Sequence, residues 1–322
     1  PVPSRRLGQS LGVDPIPFKT CNYNCVYCQL GRTTPLTNER KEYIESDVVL
    51  AELDLSLSGL EHGSVDHVTI VGEGEPLLNS ALGRIVRGVK EITGLPVAVI
   101  TNGSLLYRPA VREDVREADL LVPSLDAADP ECFRSINRPW PSIRIEDVIA
   151  GLETFRKESA ARMWIEVMLL RGLNDSVEAL EPLARALERI GPDEVHLNLP
   201  VRPPAEPWVE GAGSEGLLRA MAILGDVAEI VPPDGGRFVL RRDVHPVAAV
   251  LQVIPRHPLR ERDLVRALGG PESVRTHDVL GELAMHPRAR RRVYRGEAFW
   301  TWADSVVGSS PSSRLTEDSG WG

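Results

Sequence analysis

Through the first 230 residues, short apolar runs alternate with longer stretches in which apolar positions recur every three or four residues. The runs LGVDPIPF (11–18), DHVTIVG (66–72), PVAVITN (96–102), DLLVPSLD (119–126), MWIEVMLL (163–170) and EVHLNLP (194–200) predict strands. Between and after them, the patterns at 46–60, 78–93, 109–117, 144–159, 176–190 and 213–226 predict helices. Six β-α repeats in series imply parallel strands joined by right-handed crossovers. A barrel and a doubly wound open sheet share this string, and periodicity does not choose between them.

The pattern changes after a Pro/Gly-rich linker at 231–237. HPVAAVLQVI, LRERDLVRAL and VRTHDVLGELA predict three short helices, and ARRRVYRGEAFWTW alternates like a hairpin around Arg295-Gly296. Three helices and a hairpin over 238–302 predict a winged-helix-like α+β appendage. The Ser-, Gly- and Pro-rich stretch 303–322 has the composition of a disordered tail.

Composition narrows the class. Apolar residues make up 42% of the 322, enough for a sizeable core, and no run of 18 apolar residues is present to span a membrane. The opening PVPSRRLGQSLG lacks the apolar segment of a secretory signal and an initiator Met, as a trimmed or partial chain would. Four unevenly spaced cysteines do not form a disulfide framework, so a reducing cytoplasm is expected. The net charge of −9 is unevenly spread, with 12 Arg against 7 Asp/Glu over 238–302 and the acidic excess before it. A basic appendage is a candidate for meeting polyanions, although basic faces are often merely solvated.

The candidate chemistry sits in loops that follow the strands, where α/β folds carry their sites. Three of the four cysteines, Cys21, Cys25 and Cys28, fall in one such loop, TCNYNCVYCQLG. A disulfide would strand one of them, and structural zinc normally takes a fourth Cys or His close by. The next candidates, His62 and Cys132, are remote in sequence. Three thiolates and an open position fit a [4Fe–4S] cluster better, with zinc as the alternative. GEGEP (72–76) follows the second run and reads either as a ligand-binding loop or as a Gly/Glu-rich turn. It is no phosphate cradle, since no GK[ST] follows.

CNYNCVYC, with Tyr27 before its third cysteine, resembles the CxxxCxΦC signature of the radical S-adenosylmethionine (radical SAM) superfamily. The resemblance covers about residues 1–230 and implies a partial (β/α)6 TIM-like barrel. It implies that Cys21, Cys25 and Cys28 hold three irons while the fourth chelates the methionine moiety of S-adenosylmethionine. GEGEP stands where that family carries its glycine-glutamate motif, which implies that Glu75 meets the ligand's ammonium and that Gly72 and Gly74 allow close approach. Ser124 and Asp126 stand where family members bind the ribose, although Asp126 in the sequence alone could equally cap the next helix. Asn102 reads as a ligand contact or a turn former. Glu166, His196 and Asn198 fall in phase with inward-facing strand positions. Arg171 and Arg202 end the same strands, Arg5 and Arg6 precede the first, and Cys132 reads as packing more than chemistry.

Residues 1–33 and the stretch INRP (136–139) further resemble a radical SAM subgroup related to wyosine-synthase-like Fe–S oxidoreductases, which act on tRNA. Two departures separate them. Pro1–Thr20 contains no cysteine for a second cluster, and none of Lys19, Lys41, Lys90 and Lys157 is placed on the rim by sequence. The expected function is therefore generic: reductive cleavage of S-adenosylmethionine to a 5′-deoxyadenosyl radical that abstracts hydrogen from a substrate. The implied partners are an electron donor of flavodoxin or ferredoxin type and an RNA or tRNA met by 238–302. The alternatives are an iron–sulfur redox sensor that binds nucleic acid and a protein-radical activase.

Overall fold

β-Branched and leucine-rich runs, each closed by Pro, Gly or Asx residues, build a sheet whose strands follow one another in chain order. The computed structural model of the chain describes residues 2–4, 7–60, 63–231, 244–255 and 257–303. Its strands are β1 (Val2–Ser4), β2 (Gly8–Val13), β3 (His67–Ile70), β4 (Val97–Thr101), β5 (Leu120–Pro123), β6 (Arg162–Met168), β7 (Glu194–Asn198) and β8 (Ala228–Ile230). β2 to β8 form a parallel sheet of seven strands, and β1 pairs antiparallel with β2 at the edge. A doubly wound sheet reverses its strand order midway. This order never reverses, and β1 and β8 do not pair, which leaves an α/β fold of partial-barrel form.

The helices α1 (Ser46–Ser58), α2 (Leu82–Thr93), α3 (Pro109–Asp114), α4 (Pro130–Asn137), α5 (Ile145–Glu158), α6 (Val177–Ile190) and α7 (Ser214–Leu224) lie in the crossovers. Alternation along the strands sends one set of side chains outward to the helices. Val68, Ile70, Val97, Val99, Ile165 and Leu197 thus share one core with helix residues such as Ile85 and Leu183. The opposite set gives a smaller cluster, Leu7, Ala98, Leu120, Val122 and Trp164. The same phase continues to Asn102, Ser124, Glu166 and Asn198 at the strands' C-terminal ends, so the polar positions gather at that rim.

Three sequence expectations are corrected. The first strand ends at Val13 and not at Phe18, because Pro15 and Pro17 lack an N–H. Asp14 turns the chain there by accepting from the Ile16 and Glu73 amides at 3.1 and 2.9 Å. The second helix starts at Leu82 rather than 78, since Pro76–Leu78 is a 3-10 turn and Asn79 accepts from the Ala81 amide. A seventh parallel strand, β8, joins the expected six. At three residues it is too short for periodicity to register.

The C-terminal segment adds α8 (Pro246–Val253), β9 (Leu259–Arg260), α9 (Glu261–Ala267), α10 (Val274–Met285), β10 (Ala289–Tyr294) and β11 (Glu297–Trp302). Its sheet is antiparallel in the order β10-β11-β9, and Val250, Leu264, Leu283 and Trp300 form a separate core. Arg295 and Gly296 take φ of 51° and 79°, the left-handed pair that a two-residue hairpin turn requires. Arg291 grips Glu261 through two hydrogen bonds of 2.7 and 2.8 Å, while Arg260 and Arg262 bind Glu297. Tyr294 donates to the Pro200 carbonyl at 3.1 Å, and His257 Nδ1 lies 3.4 Å from Gln29 Nε2, so the segment rests on the barrel rim. The expected linker after Val231, the tail from 304, Arg5, Arg6 and His62 lie outside the described residues. Among the described residues, no helix is long and apolar enough to cross a membrane.

One close approach joins the first two rim loops. The Lys19 amide donates to Glu73 O at 2.7 Å and the Glu75 amide to Thr20 O at 2.9 Å. A Cβ on Gly74 would stand 1.9 Å from Thr20 O, and one on Gly72 would stand 2.5 Å from Ile16 Cγ2. Gly74→Ala should therefore push the GEGEP loop off the cysteine loop and cost about 3 kcal/mol, the upper end of ordinary over-packing. Chemical denaturation of the two proteins checks this, and an unchanged midpoint would refute the close approach.

Candidate active site

The cysteine loop leaves β2 and is held from beneath by GEGEP. Tyr23 and Val26 on it are buried, which anchors the loop between the three thiols. Each thiol has a donor directed at it. The Tyr23 amide lies 3.4 Å and Asn102 Nδ2 3.9 Å from Cys21 Sγ, Asn137 Nδ2 lies 3.6 Å from Cys25 Sγ, and Lys19 Nζ lies 3.3 Å from Cys28 Sγ. Burial, then the nearby Glu75 carboxylate, pushes the Cys21 thiol up to about 12. Burial and Asp126 drive Cys25 well above its ordinary value. Bare thiolates at Cys21 and Cys25 are thus disfavoured, whereas metal ligation would stabilise them and release their protons.

Glu75 is almost wholly enclosed, at 1% exposure. Its Oε1 accepts from the Leu77 amide at 2.9 Å and from Thr101 Oγ1 at 2.5 Å, and its Oε2 accepts from the Asn102 amide at 2.7 Å. Those three bonds lower the pKa, but burial outweighs them and raises it to about 7. A carboxylate has about four lone-pair sites, so one on Oε2 remains. Glu75 therefore caps its own 3-10 turn and also ties it to the end of β4, a lock that the sequence did not disclose. Asn102 shapes the turn after β4 and also stands beside Cys21. Its Oδ1 accepts from the Ser104 amide as a turn former, and its Nδ2 reaches Asn22 Oδ1 at 2.8 Å beside Cys21.

Asp126 is a buried hub and does not cap a helix. Asp129 caps α4, accepting from the Glu131 and Cys132 amides. Asp126 Oδ2 accepts from Tyr27 OH at 2.6 Å and Asn137 Nδ2 at 2.7 Å, and Oδ1 accepts from the Met168 amide at 2.8 Å. Burial raises its pKa against those bonds. Tyr27 is thus pinned by its hydroxyl beside Cys28. Ser124 is half-buried at the end of β5, bridged to Glu166. Asn198 is buried with its Oδ1 unpartnered, as are Asn137 Oδ1 and Tyr23 OH. Orphaned buried polar atoms at one rim fit a site shaped for a polar ligand.

Other expected residues fall elsewhere. His196 lies deeper in the barrel, with its Nε2 2.9 Å from Glu194 and 3.2 Å from Glu229 and its ring against Trp164. Arg171 pairs with Glu210 at the surface, and Arg202 donates to Gln29 Oε1 at 3.0 Å, next to Cys28. Burial, then Asp129, pushes the Cys132 thiol up to about 12, and its Sγ meets the Leu173 carbonyl at 3.5 Å, so it is packing. Lys19 does lie on the rim, contrary to expectation.

Sequence reasoning also missed a clamp. Glu206, on the loop after β7, donates its amide to Val26 O at 3.0 Å and takes Arg32 at 3.0 and 2.8 Å. Arg138 binds the same carboxylate at 2.5 Å. Burial pushes the Glu206 carboxyl up, but the two guanidiniums prevail and hold it below its usual range. The one signal available was the INRP stretch, which contains both Asn137 and Arg138.

The radical SAM superfamily model matches residues 16–199. A UPF0026 protein of Methanocaldococcus jannaschii is 30% identical over 306 residues, 93% of this chain and 94% of that protein. A UPF0026 protein of Synechocystis is 38% identical over 66% of this chain and 79% of its own length. Among solved structures, a radical SAM methyltransferase from Sphaerobacter thermophilus shares the fold with a TM-score of 0.50 at 23% identity, covering 69% of this chain and 65% of that one. With the three-cysteine loop, GEGEP and the seven-stranded parallel sheet in place, the chain belongs to the radical SAM superfamily of enzymes, whose cofactors are a [4Fe–4S] cluster and S-adenosylmethionine.

Proposed function

We propose that Cys21, Cys25 and Cys28 hold a [4Fe–4S] cluster at this rim and that the chain abstracts hydrogen from a substrate lying between the rim and the C-terminal segment. The observation that carries this is the set of donors directed at the three sulfurs from three separate stretches of chain. When bound, the cluster supplies the electron that cleaves S-adenosylmethionine to a 5′-deoxyadenosyl radical. The chain's residues bind, orient and enclose. Glu75 Oε2 offers its remaining lone pair to the cofactor's ammonium, and Gly72 and Gly74 keep the backbone close beneath it. Asp126 acts through Tyr27 and Asn137, which it holds beside the third and second cysteines. Ser124, Asn198 Oδ1 and Asn102 line the remaining rim as partners for the nucleoside. The clamp on Glu206 fixes the far side of the cysteine loop against the loop after β7.

The C-terminal segment is read as a winged helix, from its order α8-β9-α9-α10-β10-β11 and its three-stranded sheet. Its contacts with Gln29 and Pro200 place it beside the cysteine loop, which supports a role in presenting an RNA such as tRNA. The wing, with Arg288, Arg290 and Arg295 exposed, suits a phosphate backbone. The outward face of α10 does not, since it carries Asp278 and Glu282. An electron donor of flavodoxin or ferredoxin type would complete the system. The sensor and activase readings have no comparable observation: a sensor needs no enclosed carboxylate at an ammonium site, and an activase's extra cysteine insert is absent from the sequence.

Anaerobic reconstitution tests the core of this reading. Wild type should bind about four irons and, with dithionite and S-adenosylmethionine, release 5′-deoxyadenosine. Alanine at Cys21, Cys25 or Cys28 should abolish the iron chromophore, while Cys132→Ala should keep it. A loaded cluster that yields no 5′-deoxyadenosine would count against the enzyme reading.

Cofactor affinity should depend on pH through Glu75. Its carboxyl titrates near 7, and only the ionised form attracts an ammonium, so affinity should rise with pH across that value. From pH 6 to pH 8 the gain should be roughly tenfold, and Glu75→Gln should flatten the curve and weaken binding by about 10- to 150-fold at pH 8. Equilibrium dialysis reads both effects.

Full-length protein should bind tRNA with an affinity that falls as salt rises, by a slope of about 0.7 per phosphate contact. Charge reversal at Arg288 and Arg290 should flatten that slope. Reversal at Arg291 should act less, because Arg291 is engaged with Glu261. Binding that ignores salt would remove RNA as the substrate.

A further inference from the structure

Lys19 occupies a backbone conformation that favours glycine. The Thr20 amide donates to Pro17 O at 3.0 Å, closing a turn in which Lys19 is the third residue, and its φ is +58°. A turn of this kind calls for Gly or Asn at that position, and the Cβ of most other residues is strained there. The side chain supplies a reason for the strain. Its Nζ donates to Gly31 O at 2.7 Å and lies 3.3 Å from Cys28 Sγ, so it bridges the start and the end of the cysteine loop. The backbone on either side is fixed by Glu73 O and by the Glu75 amide, which holds the base of the side chain in place.

We propose that Lys19 is a positioning residue for the third cluster ligand: its ammonium fixes the Cys28 side chain and, by placing a positive charge on that sulfur, raises the cluster's reduction potential. The inference rests on the cluster reading above. Its physical basis is general, since the potential of an iron–sulfur cluster responds to net charge and to hydrogen bonds at its sulfurs. A cation beside one thiolate favours the reduced, more negative state. Of the four described contacts to the three sulfurs, this one alone carries a full charge; the others come from two side-chain amides and one backbone amide.

The test is a potentiometric titration followed by electron paramagnetic resonance on the reconstituted full chain. Lys19→Met keeps the length of the side chain and removes the charge, Lys19→Arg keeps the charge, and Lys19→Gly relieves the turn. All three should retain wild-type iron. Lys19→Met and Lys19→Gly should both shift the midpoint to more negative potential, while Lys19→Arg should stay nearer wild type. Lys19→Gly should also raise the thermal midpoint, which separates backbone strain from the side chain's effect. Iron-replete Lys19→Met with the wild-type potential would overturn the proposal and leave the cluster reading standing. A wild-type chain that assembles no cluster would overturn both. Should Lys19→Met lose its iron, the potentials of Lys19→Arg and Lys19→Gly decide: equal values would overturn the proposal.

Discussion

The contact on which the site depends is the approach of Gly74 to Thr20. The two backbones run so close that no side chain fits between them, and the Lys19 and Glu75 amides bond across the gap. That contact sets the height of Cys21 relative to the end of β3. It also sends the Glu75 side chain under the loop toward β4, where Thr101 and Asn102 receive it. Three consecutive rim loops are thereby joined through one glycine and one carboxylate. Loosening either would disperse groups that come from separate strands.

A second buried carboxylate plays the corresponding role on the other side. Asp126 gathers Tyr27 from the cysteine loop, Asn137 from the end of α4 and the Met168 amide from the end of β6. Glu206 adds a third tie, from the loop after β7 to Arg32 and Arg138. All three acids are almost fully enclosed, and each is compensated by several donors. Lone burial of any one would be costly, so the donors and acids specify one another. Rigidity at this rim suits radical chemistry, in which a reactive intermediate must meet one hydrogen and exclude water.

Among the described residues, the C-terminal segment meets the rim at Pro200 and Gln29. Of its own residues, Arg260, Arg262 and Arg291 serve its hairpin and α9, and Tyr294 and His257 contact the rim. This division explains why a balance of charges read along the sequence did not identify the partner of each arginine. Arg291 is engaged with Glu261, which lies beside it once α9 packs against the sheet.

The chain's alternating pattern was sufficient to announce the repeated β-α units, and the spacing of Cys21, Cys25 and Cys28 was sufficient to gather three thiols in one loop. Both are local properties: periodicity follows from helix and strand geometry, and three thiols within one loop must end up near one another. Other features required the folded chain. β8 was illegible because three residues carry no period, and the early end of β2 because two prolines competed with an apolar run. Asp129 rather than Asp126 caps α4, a choice made when β5 carries Asp126 inside toward Tyr27. The contacts of Lys19 with Cys28, of Glu75 with Thr101 and of Glu206 with Arg32 and Arg138 link residues far apart in the chain or on opposite sides of a turn. Sequence spacing holds no record of such distances, and only the sheet's curvature brings those side chains within hydrogen-bond reach.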